Sequence, residues 1–519
     1  MAQAELIPVA DPLAALSGGG SFDAVVAVGP AGAFEGCGPV ASVLAAAAAV
    51  DRSAPGALAL YPAPELAGGR LVHAPTGPLD RDQDDVRRFA DAAASGLRRA
   101  RDAGSTRPFL LLGGVPSDAL FREARAVSLL GALGGLWEPL EGREAHGEHE
   151  LEPVRAIGFA AGDDGESLAR YVSAVEAGRR LARDLGGTEP ERMAPPRMAD
   201  LMREAFAGTS VKVKVIADRA TIDGQYPLAG AVARASWGVE RHHPRVVRLE
   251  YDPGGDITET ILIAGKGLSY DTGGADLKVN GVMAGMSRDK CGGANAAGFL
   301  RTVASLQPKG VRVVAEIGCV RNSIGSDCFV ADEIITSHAG VRCRIGNTDA
   351  EGRLVLAELL SHLREEALKS VNPRILSLAT LTGHAGRAVG PYTIALDNRP
   401  ARGVRVAARL EECGEVWGDC FDLSRLRRED WDFVKPHSRA DDTLTCNNAP
   451  SSATPRGHQF PMAFLSIASG LAKHGPESER PIAYTHVDIG GSAAEGSNWQ
   501  HGRPTAAPLV AMAALWARG

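Results

Sequence analysis

Short apolar runs recur along the chain, separated by longer stretches whose apolar positions follow a helical period. Ala24–Val28, Ala57–Tyr61 and Phe109–Leu112 are near-continuous apolar runs of four or five residues, the length and pattern of buried strands. Asp82–Arg101 and Leu120–Leu133 have helical spacing, and Glu166–Leu185 reads as a long amphipathic helix. The three prolines of Gly186–Pro196 stop that helix. Glu141–Glu152 is polar and acidic, and is expected to be an exposed loop.

Farther along, the strand signals strengthen. Arg245–Tyr251, Thr260–Ala264, Val311–Ile317, Arg374–Ala379 and Ile482–Ile489 are strand-like, with helical patterns over Gly293–Leu306 and Leu354–Leu368. Apolar strands alternating with helices imply a mostly parallel sheet covered on both faces. The expected fold is α/β with two domains. Residues 1–165 form a smaller N-terminal α/β domain, 166–190 a linking helix and loop, and 191–519 a C-terminal domain with a mixed, mostly parallel sheet flanked by helices. In such sheets ligands bind beyond the carboxyl ends of the strands.

Charge supports the division. Up to Arg170 the chain carries 14 arginines and no lysine against 23 carboxylates, a net of −9. The remainder carries 42 basic and 40 acidic residues. An acidic N-terminal part argues against binding to a phosphate backbone, so nucleic acid is not expected as a partner. No apolar run is long enough to span a bilayer, and the first residues lack the basic and apolar regions of a secretory signal. The eight scattered cysteines form no C-x-x-C pair, which suggests reduced thiols in a cytoplasmic setting.

The candidate chemistry lies after the strand Thr260–Ala264, in a Gly-rich stretch expected to be a loop. It carries Lys266, Asp271 and Lys278, and Asp289 follows eleven residues later. After a further strand come Asp349, Glu351 and Arg353, directly before the helix expected from Leu354. Carboxylates at close range raise one another's pKa unless cations neutralise them. Divalent metals supply that neutralisation, and oxygen ligands with one amine suit Zn²⁺, Mn²⁺ or Mg²⁺. Four carboxylates suffice to bridge two ions about 3.5 Å apart. The alternatives are solvated loop carboxylates, glycines that only make turns, and a phosphate-cradling loop. No GxxxxGK[ST] or GxGxxG motif supports the last.

These segments resemble the leucyl aminopeptidase (cytosol aminopeptidase) family of two-metal exopeptidases. Asn347-Thr348-Asp349-Ala350-Glu351-Gly352-Arg353-Leu354 is similar to that family's signature octapeptide, unbroken. The intervals from Lys266 to Asp271, Lys278 and Asp289 also match, as do Ala379-Thr380-Leu381-Thr382-Gly383 and Thr485-His486-Val487-Asp488-Ile489. The resemblance runs from about Leu185 to the C-terminus. It implies that Lys266, Asp271, Asp289 and Glu351 ligate one metal, and Asp271, Asp349 and Glu351 the other. Lys278 would polarise the scissile carbonyl, Arg353 would hold a bicarbonate that shuttles the proton, and the ions would activate water. Met286, Thr380 and Gly383 match positions that line the pocket for the first, Leu-like side chain; ordinary core packing is the alternative for Met286. The family acts on peptides with a free N-terminus and assembles as homohexamers. Residues 191–519 would be its catalytic domain.

Three segments depart from the family pattern. Ile324–Glu333 stands where a Pro-Gly-rich stretch is usual, His384 replaces a small residue, and Ala275-Asp276 replaces a more apolar pair. These bear on subunit contacts, the pocket rim and substrate choice, and leave open a catalytically weak structural hexamer or a dipeptidase. Elsewhere, His242-His243 is expected at the surface and His486 as a satisfied core histidine. Cys291 has no sequence-evident base, and no nucleophilic role is expected for it.

Overall fold

The computed structural model describes residues 3–17, 21–496 and 498–518. The chain divides into two compact units: Met1–Ala177 with Cys413–Asp419, and Gly178–Glu412 with Cys420–Gly519.

The first unit is built on six strands: β1 (Glu5–Val9), β2 (Ala24–Val28), β3 (Ala59–Pro62), β4 (Arg70–Ala74), β5 (Pro108–Leu112) and β6 (Ala156–Ala160). Their order is β1-β6-β5-β2-β4-β3, and every pair is parallel except β3 with β4. All five residues of β2 are buried, because a central parallel strand is covered on both faces. Val25 and Ala27 pack with Phe34, Leu71 and Phe109 in the core. The acidic stretch expected as a loop instead forms two short helices, Leu140–His146 and Glu148–Leu151. Arg143 supplies an internal cation there: it is buried, donates to the Glu138 carbonyl at 3.0 Å and pairs with Glu148. The helix expected from Asp82 begins at Arg87, because the Asp84 carboxylate accepts from the Arg81 backbone and guanidinium and closes a turn first.

The helix Gly165–Gly187 carries the chain into the second unit. That unit holds β7 (Lys212–Ile216), β8 (Arg245–Tyr251), β9 (Glu259–Asp271), β10 (Val311–Asn322), β11 (Ile334–Thr336), β12 (Arg342–Arg344), β13 (Pro373–Ala379), β14 (Thr393–Asp397), β15 (Phe421–Ser424), β16 (Thr443–Leu444) and β17 (Ala483–Asp488). Eight form one sheet in the order β15-β14-β17-β13-β9-β10-β8-β7, and β11, β12 and β16 form a small separate one. The central run β17-β13-β9-β10 is parallel throughout, and the flanking pairs β10–β8, β8–β7 and β17–β14 are antiparallel. The carboxyl ends of the four central strands therefore share one edge.

The Gly-rich stretch after Ala264 is a loop only beyond Asp271. β9 continues through it to Asp271, and β10 runs on to Asn322 to pair with it. Gly265 and Gly267 serve close packing rather than a turn. A Cβ on Gly265 would stand 2.8 Å from Gly293 Cα, in the helix Cys291–Leu306. Alternation puts Lys266 on the opposite face. There a Cβ on Gly352, in the helix Glu351–Ala367, would meet the lysine side chain. One helix thus covers each face of β9. The chain turns at Gly273 and Gly274, with φ of 87° and 67°, conformations that glycine adopts without strain.

Two histidine expectations are corrected. His242 is buried, not at the surface, with Nε2 2.8 Å from Glu191 Oε1. His486 is a core residue but only half satisfied. Its Nδ1 meets Ser377 Oγ at 2.8 Å, whereas Nε2 is buried without a hydrogen-bond partner.

Candidate metal centre and active site

Five elements and the loop after β9 deliver the candidate residues to the shared edge. β9 carries Lys266 and ends on Asp271, and the loop after it carries Lys278. A single-turn helix, Met286–Lys290, carries Asp289. Glu351 and Arg353 lie in the first turn of Glu351–Ala367 rather than before the helix, and the turn Thr348–Ala350 holds Asp349 ahead of it. Thr380 follows the end of β13.

Side-chain atoms of Asp271, Asp289 and Glu351 lie within 4.8 Å of one another, and all three residues are buried. The Lys266 ammonium, 3% exposed, sits 2.8 Å from Asp289 Oδ1 and 3.0 Å from Glu351 Oε1, and donates to the Thr380 carbonyl at 3.0 Å. Lys278 lies 2.9 Å from Asp271 Oδ2 and also pairs with Asp349 Oδ1. Thr380 Oγ1 donates to Asp289 Oδ1 at 2.9 Å. Asp271 Oδ1 accepts from the Gly273 amide and from Asn322 Nδ2, both at 2.8 Å.

The charges do not balance. Four carboxylates face two ammonium groups in a buried space, where unpaired charge is expensive. Burial and then the Asp271 charge push Asp349 up to about 7. Burial likewise raises Asp289 and Glu351, against the pull of Lys266. Asp271 goes the other way: despite burial, Lys278, Lys266 and the Gly273 amide hold it below the usual carboxylate range. Both lysines are pushed up, because their carboxylate partners outweigh the burial that acts against the ammonium. Glu351 Oε2 is buried with no hydrogen-bond partner. A surplus of carboxylate, an orphaned buried oxygen and converging oxygen donors all fit a divalent cation.

The other predicted residues lie around this cluster. Arg353 is buried: Nη1 donates to the Thr445 carbonyl at 2.8 Å, and its guanidinium lies 5.0 Å over the Phe460 ring. Met286 is half-buried and opens the turn that carries Asp289. Gly383 is exposed at the start of the helix Gly383–Val389, where its amide donates to Ser451 Oγ. Three structural residues were not singled out from sequence. Asn322 links Asp271 to the Thr348 carbonyl through the two hydrogens of one amide nitrogen. Thr348 is fully buried within the octapeptide. Asp488 accepts from the Leu381 amide and from Thr382 Oγ1, fixing the Thr380–Gly383 turn. A polar residue ending a long apolar strand is the signal that would have marked Asn322 and Asp488. Asn322 was hidden because its strand was read only to Ile317.

A mostly parallel sheet that gathers four carboxylates and two lysines at its carboxyl edge is the layout of a metal-dependent hydrolase. Residues 180–513 match the cytosol aminopeptidase family, catalytic domain. A putative aminopeptidase of Caenorhabditis elegans is 40% identical over 483 residues, 92% of each chain. The fold is similar to that of a mutant of tomato leucine aminopeptidase, with a TM-score of 0.78 and 18% identity over 100% of this chain and 97% of that one. It is also similar to a bottromycin maturation enzyme in complex with Mn, with a TM-score of 0.73 and 22% identity over 95% and 98%. The chain belongs to the cytosol aminopeptidase family and is a hydrolase of the leucyl aminopeptidase type. The family is metal-dependent. Among the described residues, no helix is long and apolar enough to cross a membrane.

Proposed function

We propose that the chain releases N-terminal amino acids, Leu-like ones preferred, from peptides at a two-metal centre. The observation that carries this reading is the buried convergence of Asp271, Asp289 and Glu351 around Lys266. Lys266, as the neutral amine that two nearby cations would enforce, would hold one divalent ion with Asp271, Asp289 and Glu351, and Asp271, Asp349 and Glu351 would hold the other; Zn²⁺ and Mn²⁺ are the first choices, with Mg²⁺ next. When bound, such ions supply Lewis acidity and a nucleophile at neutral pH.

The chain's own groups do the rest. Lys278, paired with Asp271 and Asp349, would stay charged and meet the developing negative charge on the scissile carbonyl oxygen. The free α-amine of the peptide would serve as a further ligand at the metal pair, which accounts for exopeptidase action. Arg353 would hold the bicarbonate that carries the proton; its buried Nε has no partner and is free to donate. Thr380, Gly383 and Met286 would shape the pocket for the first side chain. A homohexamer in the cytoplasm, with residues 191–519 as the catalytic domain, completes the proposal.

The test is hydrolysis of leucyl-amide substrates by the purified chain with Mn²⁺ or Zn²⁺ and bicarbonate. Activity that disappears in both Lys278→Ala and Glu351→Ala with the oligomer intact supports the reading. A metal-loaded parent without activity would point instead to a structural hexamer.

A further inference from the structure

We propose that Asp276 is a positioning residue: it ties the loop carrying Lys278 to Thr348 and so fixes the Lys278 ammonium against the turn that carries Asp349 and Glu351. The inference rests on the reading of Lys278 as the group that meets the scissile carbonyl.

The loop needs such a tie. Between the end of β9 and Met286 the backbone takes positive φ at Gly273, Gly274, Asn280, Gly281 and Gly285, so no ladder of sheet or helix bonds holds it. Leu277, Val279 and Val282 are 43%, 57% and 59% exposed, so little apolar burial anchors it either. Yet Lys278 must hold its nitrogen to within a few tenths of an ångström for transition-state stabilisation.

Asp276 answers that need through one buried partner. Its Oδ2 accepts from the Thr348 amide at 2.7 Å, and its own amide donates to Thr348 Oγ1 at 2.8 Å. A hydroxyl has one proton to give. The Gly273 carbonyl, 2.6 Å from Thr348 Oγ1, is a shorter acceptor than Asp276 Oδ2 at 3.1 Å. The carboxylate's firm bond is therefore to the Thr348 amide. The Thr348 carbonyl, in turn, accepts from the same Asn322 amide group that holds Asp271. Asp276 thus joins the lysine loop to a knot that already fixes Asp271 and stands directly before Asp349. The close fit extends to Gly274, where a Cβ would stand 3.0 Å from both Asn322 Oδ1 and Thr348 Oγ1.

The test compares kcat, KM and metal content of the parent with Asp276→Ala, Asp276→Asn and Lys278→Ala, together with amide exchange at Thr348 in the full chain. Asp276→Ala is expected to lower kcat about 10- to 100-fold, the scale of an ångström-level misplacement. KM and metal content should stay near parental values, and the Thr348 amide should exchange faster. Asp276→Asn should restore most of kcat and the protection, because its amide oxygen accepts the same bond. Parental kcat in Asp276→Ala beside an inactive Lys278→Ala overturns the positioning role alone. An Asp276→Asn as impaired as Asp276→Ala also overturns it, since the effect then belongs to charge. Parental activity in Lys278→Ala would overturn the assignment of Lys278, and this role with it.

Discussion

A Cβ on Gly352 would stand 2.5 Å from Lys266 Cε and 2.6 Å from its Nζ. The lysine therefore lies against the backbone of the first turn of Glu351–Ala367, with its ammonium 3.0 Å from Glu351 Oε1. Alanine ordinarily stabilises a helix interior relative to glycine by about 0.5–1 kcal/mol. At this position the methyl competes with a buried side chain whose far end is held by Asp289 and Glu351, so the lysine has nowhere to retreat. Gly352→Ala is expected to reduce metal content and to lower kcat about 100-fold or more. Metal analysis alongside a leucyl-amide assay checks this, and a fully loaded, active variant would show that the turn absorbs the methyl.

Lys278 also carries structural weight in the metal-free chain. It stands between Asp271 and Asp349, and its removal leaves the two carboxylates facing each other with only Lys266, acting on Asp271, to offset them. Breaking a buried pair costs about 3–5 kcal/mol, and partial exposure of Asp349 moves this case to the lower end. Lys278→Ala should therefore lower the apparent melting temperature more in EDTA than in excess Mn²⁺, because a bound cation takes over the neutralisation. Melting the parent and the variant under both conditions measures the difference. Equal drops in the two would show that Lys278 does not hold the carboxylates together.

The same cluster fixes a pH dependence. Asp349 is raised by burial and by Asp271, from 3.8 to about 7. A carboxyl group with a raised pKa binds its proton more tightly in the folded state than in the unfolded one. Its contribution is then complete below about pH 4 and is lost as pH rises through about 7. Asp271 is lowered and acts oppositely, but only as pH falls toward the acid limb. Measured against Asp349→Asn, which cancels the buried histidines that act the other way, the metal-free parent should thus lose stability progressively between about pH 4.5 and 7.5, the window those shifts define. Metal binding near pH 6 should release protons, which calorimetry in buffers of different ionisation enthalpy detects. Uptake of protons, or none, would contradict the raised pKa.

How much of this was legible in the chain depended on whether its cause was local. The apolar cores of β9 and β13 read directly, because a central parallel strand buries both faces. The carboxylates and lysines at the sheet's edge could be picked out beyond the strand ends, but the roles given to them come from the family resemblance and not from spacing. Gly265 and Gly267 misled, since glycine signals a turn locally, while here it admits the helix Cys291–Leu306 against β9. Truncating β9 and β10 in the reading hid Asn322, and with it the link between Asp271 and Thr348. The edge strands β14 and β15 gave weak patterns, because their identity rests on pairing with β17 and with each other. The surroundings of Arg353 were not legible, because its bond to Thr445 and its stacking on Phe460 come from segments about a hundred residues away.

The thiol next to the site offers a last test of how closed the centre is. Cys291 follows Asp289 by two residues and opens the helix Cys291–Leu306, yet it is 3% exposed and packs against the Gly186 backbone. Burial pushes its thiol up to about 11, against the pull of Lys290 and Arg288. The reactive species is the thiolate, so at pH 8 very little of it is present and reagents cannot reach it. Cys37 and Cys328 are only partly buried. Alkylation with iodoacetamide at pH 8, followed by peptide mapping, should modify Cys37 and Cys328 well before Cys291, and activity should survive the early phase. Rapid labelling of Cys291 in the native protein, with matching loss of activity, would mean that the segment around Asp289 opens on the timescale of the reagent and is not the fixed support that a metal ligand requires.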